Sequence, residues 1–144
     1  MALTSTRSTD YTNLGDNCVA GVPKSGYTPA KGHLVRREDA QNDEWDLCAN
    51  SELPGGLVES VNSGNGTISV LLLIGGVSII LEHDGTADKG EGIQATDTAV
   101  ATNALGVTIP RTVVKGVAIA SGVGRVVSTT VGGTTNTCEV VFPS

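Results

Sequence analysis

Asp84 and Asp88 lie within His83-Asp84-Gly85-Thr86-Ala87-Asp88, the stretch of this sequence that comes nearest to a cation-binding loop. A calcium loop of the EF-hand kind needs acidic ligands at alternate positions, glycine at the sixth and a distant glutamate. Thr86 occupies the alternate position, so the pattern fails, and a turn in which aspartate bonds its own backbone accounts for the residues. Zinc would draw on Cys18, Cys48, Cys138, His33 and His83, but no two of these share the short spacing that brings ligands together. No metal or cofactor is expected.

Nucleophilic and phosphate chemistry find equally little. There is no G-x-S-x-G, and two histidines offer few bases for a serine or cysteine nucleophile. Gly122-Val123-Gly124 lacks the third glycine of a dinucleotide fingerprint, and no G-x4-G-K-[ST] occurs. The acids Glu38, Asp39, Asp43, Glu44 and Asp46 could supply a carboxylate pair for glycoside hydrolysis. Such sites need sugar-stacking aromatics, and only Trp45 is near, so a solvated charged loop is the expected reading. Asn65-Gly66-Thr67 has the form of a glycosylation sequon and is read as a turn. No catalytic residue is assigned, and the chain is expected not to be an enzyme.

The elements that would position any site are short strands. With 19 glycines, one Phe, one Trp and two Tyr among 144 residues, the composition favours strands and tight turns over helices. The length suits one domain. Residues 1–30, rich in Ser, Thr, Asn and Gly, are expected to form an extended N-terminal arm, and residues 31–144 an all-β barrel or sandwich domain. Strands are expected at 33–36, 57–61, 67–74, 77–83, 113–120, 125–129 and 137–142, with 94–105 open between short helix and strand. Gly75-Gly76 suits a two-residue hairpin turn, which would pair Ile74 with Val77, Leu72 with Ile79, Val70 with Leu81 and Ile68 with His83. No repeat of the solenoid type is visible.

Charge narrows the partners. The formal net charge is -6 and charged residues make up 17 % of the chain, below the usual quarter. The acidic balance opposes nucleic-acid binding, and the adjacent Arg36-Arg37 is followed at once by Glu38-Asp39. The apolar run at 68–81 is shorter than the roughly 20 residues a spanning helix needs and carries Gly-Gly at its middle, so no membrane partner is expected. No basic stretch followed by an apolar core opens the sequence, which points to synthesis in a reducing cytosol. The odd cysteine count leaves at least one thiol outside any intrachain pair. A surface poor in Lys and Glu suits a chain that buries part of itself against other proteins. Tyr11, Tyr27, Arg36, Arg37 and Trp45 are the candidate interface residues, although the default reading of Trp45, the sole Trp, is a core plug.

Several short motifs then carry a resemblance. Lys31-Gly32-His33-Leu34-Val35, Pro54-Gly55-Gly56-Leu57-Val58 and Gly85-Thr86-Ala87-Asp88-Lys89-Gly90 are among them, as are Lys115-Gly116-Val117-Ala118 and Gly122-Val123-Gly124-Arg125-Val126-Val127. With these the chain resembles small β-rich capsid decoration (cement) proteins of tailed bacteriophages. That resemblance implies a β-tulip-like body, usually a homotrimer, which binds the major capsid protein on the capsid exterior and stabilises the shell. It places the protein in the virion after synthesis in the host cytoplasm. A tail or baseplate component shares this composition. A carbohydrate-binding adhesin module would normally need more aromatics than the 3 % present.

Overall fold

The computed structural model describes residues 17–39, 41–96, 101–102, 108–109, 113–130 and 136–142. The first unit contains β1 (Cys18–Pro23), β2 (Leu34–Asp39), β3 (Glu44–Leu47), β4 (Gly56–Val61) and β5 (Ile68–Leu72). They close a barrel in the order β1-β3-β2-β4-β5. Alternation along the strands sends Val35, Trp45, Val58, Ile68 and Val70 into one buried cluster, with Val19, Tyr27 and Leu72 packed on it. A small all-β body was legible in the composition, and the all-β expectation is met.

The chain continues through β6 (Ser78–His83), β7 (Gly92–Ala95), β8 (Ala101–Thr102), β9 (Thr108–Ile109), β10 (Val113–Val117), β11 (Arg125–Thr130) and β12 (Thr137–Val141). Among the described residues, strands β8 and β9 pair with each other; the remaining five form a second sheet, β11-β12-β6-β10-β7. That sheet curls until its edge strands meet. Gly90 and Ile93 donate backbone bonds to Val126 and Val123 at 2.8 and 3.0 Å, and Val126 and Val123 donate back to Glu91 and Ile93 at 2.8 and 3.0 Å.

The two units are the same barrel built twice. Taken in chain order, with β8 and β9 as an insertion between the second and third strands, each follows first-third-second-fourth-fifth around its circumference. In each, the first and third strands are parallel, β1 with β3 and β6 with β10. Register matches as well. Val58 opposes Val70 and the ladder then bulges before Ser60; Val126 opposes Val140 and the ladder bulges before Ser128. Val19 faces Val70 as Ile79 faces Val140. Gly32 and Gly90, both at φ 93°, donate to Val58 and Val126 in turn. A methyl added at Gly56 would overlap Val70, and one at Gly124 would come within 2.7 Å of Val140. The repeat is one of geometry, with sequence traces at Lys31-Gly32 and Lys89-Gly90 and at Gly56-Leu57-Val58 and Gly124-Arg125-Val126.

Three expectations need correction. Gly75 and Gly76 do turn the chain, at φ 70° and 83°, but β5 and β6 do not pair. They belong to different sheets, and Gly76 N–H bonds Phe142 O at 2.9 Å instead. The reason is that β5 is apolar on both faces: Val70 enters the first barrel, while Leu71 and Leu73 leave it to join the cluster of the second. The N-terminal arm does not extend to residue 30, because Cys18–Pro23 pairs with β5 and β3 and closes the first barrel. Residues 1–16 lie outside the described residues. Lastly, the acidic stretch is a hairpin and not a loop, with Glu38 and Asp39 ending β2 and Glu44 and Asp46 on β3. Within 94–105, Gln94 and Ala95 end β7, and Ala101–Thr102 forms β8.

Candidate interaction surfaces

Arg36 and Glu38 alternate with Val35 and Arg37 along β2, so both point out of the first barrel. Arg36 reaches three carboxylates: Glu52 at 2.9 Å, Asp46 at 3.2 Å, and Glu38. Lys24 bonds Glu38 at 3.0 Å and lies 3.8 Å from Asp46. The Lys24 ammonium, helped by the Arg36 guanidinium, holds the Glu38 carboxyl below its ordinary range. Exposed pairs contribute little stability each. What the network does is fix a flat charged face over β2 and β3.

Of the expected interface residues, Arg36 and Arg37 share this region. Arg37 stacks its guanidinium 4.9 Å from the Trp45 ring centroid. Trp45 itself is 2 % exposed, so it plugs the first barrel and does not anchor an interface. Its close neighbour Gly21 leaves the room the indole needs, since a Cβ there would lie 2.5 Å from the ring. Tyr27 is half-buried, its ring stacked on His33 with centroids 5.7 Å apart. Ala30 N–H donates to His33 Nδ1 at 3.1 Å, so that nitrogen is an acceptor and the Tyr27 hydroxyl donates to it at 2.8 Å. Burial pushes the Tyr27 hydroxyl pKa well up. Tyr11 lies outside the described residues.

The second barrel carries a different surface. An apolar groove of about 810 Å³ is lined by Leu73, Ile74, Ile119, Val123, Val127 and Val141, among others, with Arg125 its charged member. Ile119, in a 3-10 turn at Ile119–Ser121, and Ile74 are each 52 % exposed. The sequence does not reveal this groove because the strand expected at 113–120 would include Ile119, whereas β10 ends at Val117.

The remaining polar motifs are absorbed locally. Asp84 Oδ1 accepts from Thr86 N–H at 3.1 Å and Thr86 Oγ1 at 2.5 Å, the turn expected of that sequence. Asn65 Oδ1 accepts from Thr67 in the same way, at 3.0 and 2.7 Å. Among the described residues no three His, Cys, Asp or Glu side chains form a metal-binding group, and no helix is long and apolar enough to cross a membrane.

Cys18, Cys48 and Cys138 are thiols, the last two buried. Burial pushes the Cys138 thiol up to about 12 from an ordinary 9.0. A group whose pKa is raised on folding contributes stability below its unfolded value and loses it as pH climbs through its folded one. Stability is therefore expected to fall between about pH 9 and 12, by up to about 4 kcal/mol from this thiol. In urea titrations, Cys138→Ala should lose less stability over that window than the parent does; equal losses would show that the thiol is not the cause.

No protein-family model matches this chain, and no curated protein is significantly similar to it.

Proposed function

We propose that this protein is a non-enzymatic structural component of a bacteriophage virion that binds the outside of an assembled major capsid protein lattice and stabilises the shell. It would act as a homotrimer, without contacting nucleic acid or membrane. The observation that carries this reading is the surface of the two barrels. Val22, Leu53, Val61, Ile74, Ile80 and Ile119 are large apolar side chains left exposed outside the two buried clusters. Single exposed apolar residues are ordinary, but Ile74 and Ile119 line one apolar groove, and such a patch suits a protein partner. The motif resemblance to capsid decoration proteins supplies the identity of that partner.

The physical consequence is stabilisation by mass action. A subunit that binds the assembled lattice and not the separated subunits shifts the equilibrium toward the shell. Several such contacts per oligomer add avidity without requiring any one to be strong. The test is calorimetry of assembled capsid shells of the phage that encodes the chain. Saturating protein should raise the disruption temperature by several degrees, with no such effect on the melting of unassembled capsid subunits. An unchanged disruption temperature would sink the proposal.

A further inference from the structure

The two barrels of one chain already meet head to tail, and the meeting uses one half of a surface that each barrel owns. On the outside of the first barrel, Cys18, Leu71, Leu57 and Leu34 stand in direct cross-strand register. This row is packed in the apolar cluster of the second barrel, separately from the first barrel's own lumen. Beside it, the loop after β3 completes the contact. Ser51 N–H donates to Ala95 O at 2.9 Å, and Ala95 N–H donates to Glu52 O at 3.0 Å, adding that loop to the free end of β7. Lys115 Nζ bonds Ser51 Oγ at 2.7 Å.

Because the barrels match strand for strand, each half of this joint has a counterpart on the other barrel. The row of the first barrel corresponds to Ser78, Val141, Arg125 and Gly92 on the second. Arg125 and Val141 line the open apolar groove. The loop carrying Ser51 and Glu52 corresponds to the 3-10 turn Ile119–Ser121, whose Ile119 is half exposed. The receiving position, Ala95 opposite Val114, corresponds to Arg37 opposite Trp45 on β2. The groove's charged member is a base, Arg125, while around Arg37 the acids Glu38 and Asp46 are already paired with Arg36 and Lys24, so the match rests on the repeated geometry and not on net charge.

We propose that a second copy of this chain docks on the groove, the turn Ile119–Ser121 of one copy meeting the end of β2 at Arg37, past its pairing with β4, on the next. The joint between copies then repeats the joint between barrels. Such a contact is heterologous, so it closes into a ring if the rotation permits and otherwise propagates. The proposal does not depend on the capsid reading, since it concerns the isolated protein.

The test is the oligomeric state of the full chain in light scattering, combined with directed cross-linking. The parent should be a discrete oligomer, and Ile119→Asp should be monomeric with unaltered circular dichroism, since Ile119 is half exposed and belongs to neither buried cluster. In a Cys18→Ser background, a short bis-maleimide should join Ile119→Cys chains to Arg37→Cys chains when the two are mixed, and should join neither to itself. A monomeric parent, an Ile119→Asp variant of parental size, or cross-links between two copies of Ile119→Cys would each overturn the proposal. A capsid-binding failure alone leaves these outcomes unchanged and strikes only the functional reading.

Discussion

A chain that begins at Ser25, lacking β1, is expected to lose the first barrel outright. Strand β1 carries Val19 onto the lumen cluster, and it is the sole bridge between β5 and β3 that closes the barrel. Its removal uncovers Trp45, Ile68 and Val70, each worth about 1.5–3 kcal/mol when buried. The sum is comparable with the roughly 5–15 kcal/mol that holds a whole domain folded. The single Trp makes the result easy to read, because it lies inside this barrel and nowhere else. Tryptophan emission should shift to that of exposed indole. Native-like emission from the shortened chain would contradict the assignment of β1 to the barrel, and would restore an arm reaching past residue 23.

The second large effect follows from the repeat. The first barrel fills its lumen with a Gly21 and Trp45 pair; at the matching positions the second barrel has Leu81 and Val114, both buried. One large and one very small residue replace two of intermediate size. Trp45→Val should therefore cost about 3–5 kcal/mol by leaving a cavity, and also removes the Arg37 stack. Gly21→Leu alone should cost about 1–3 kcal/mol or more, because the new side chain enters the indole. Together they transplant the second barrel's pair into the first. The double variant is expected to be more stable than either single one, with a coupling of about 2 kcal/mol in urea denaturation. Additive losses would mean that the two barrels do not share a packing scheme.

Much of the strand pattern was legible in the sequence. Leu57–Val61, Thr137–Phe142 and the segments around Gly75-Gly76 announced themselves through β-branched residues and glycine punctuation. The partnering of β5 and β6 was not legible. A glycine pair between two apolar runs reads as a hairpin, and only the demand to bury Leu71 and Leu73 on a second body opens it into a corner. Strand β1 was hidden for another reason: Cys18-Val19-Ala20-Gly21-Val22-Pro23 is short of bulky residues because Trp45 fills the space it faces. The acidic segment concealed β3, since its outward residues Glu44 and Asp46 flank the inward Trp45. The tandem architecture left almost no trace, because matching positions such as Trp45 and Val114, or Ile68 and Cys138, keep their place in the ladder and change their chemistry. The groove at Ile119 could not be read from the sequence because it depends on where β10 stops.

The proposed lattice-binding role is tested most directly by sedimentation. If the proposed function holds, purified protein mixed with assembled capsid shells of the phage proposed to encode it is expected to pellet with them at a fixed and saturable ratio, and to stay in the supernatant with dissociated capsid subunits. Protein that remains soluble beside intact shells, or that binds the dissociated subunits equally well, would contradict a lattice-binding function.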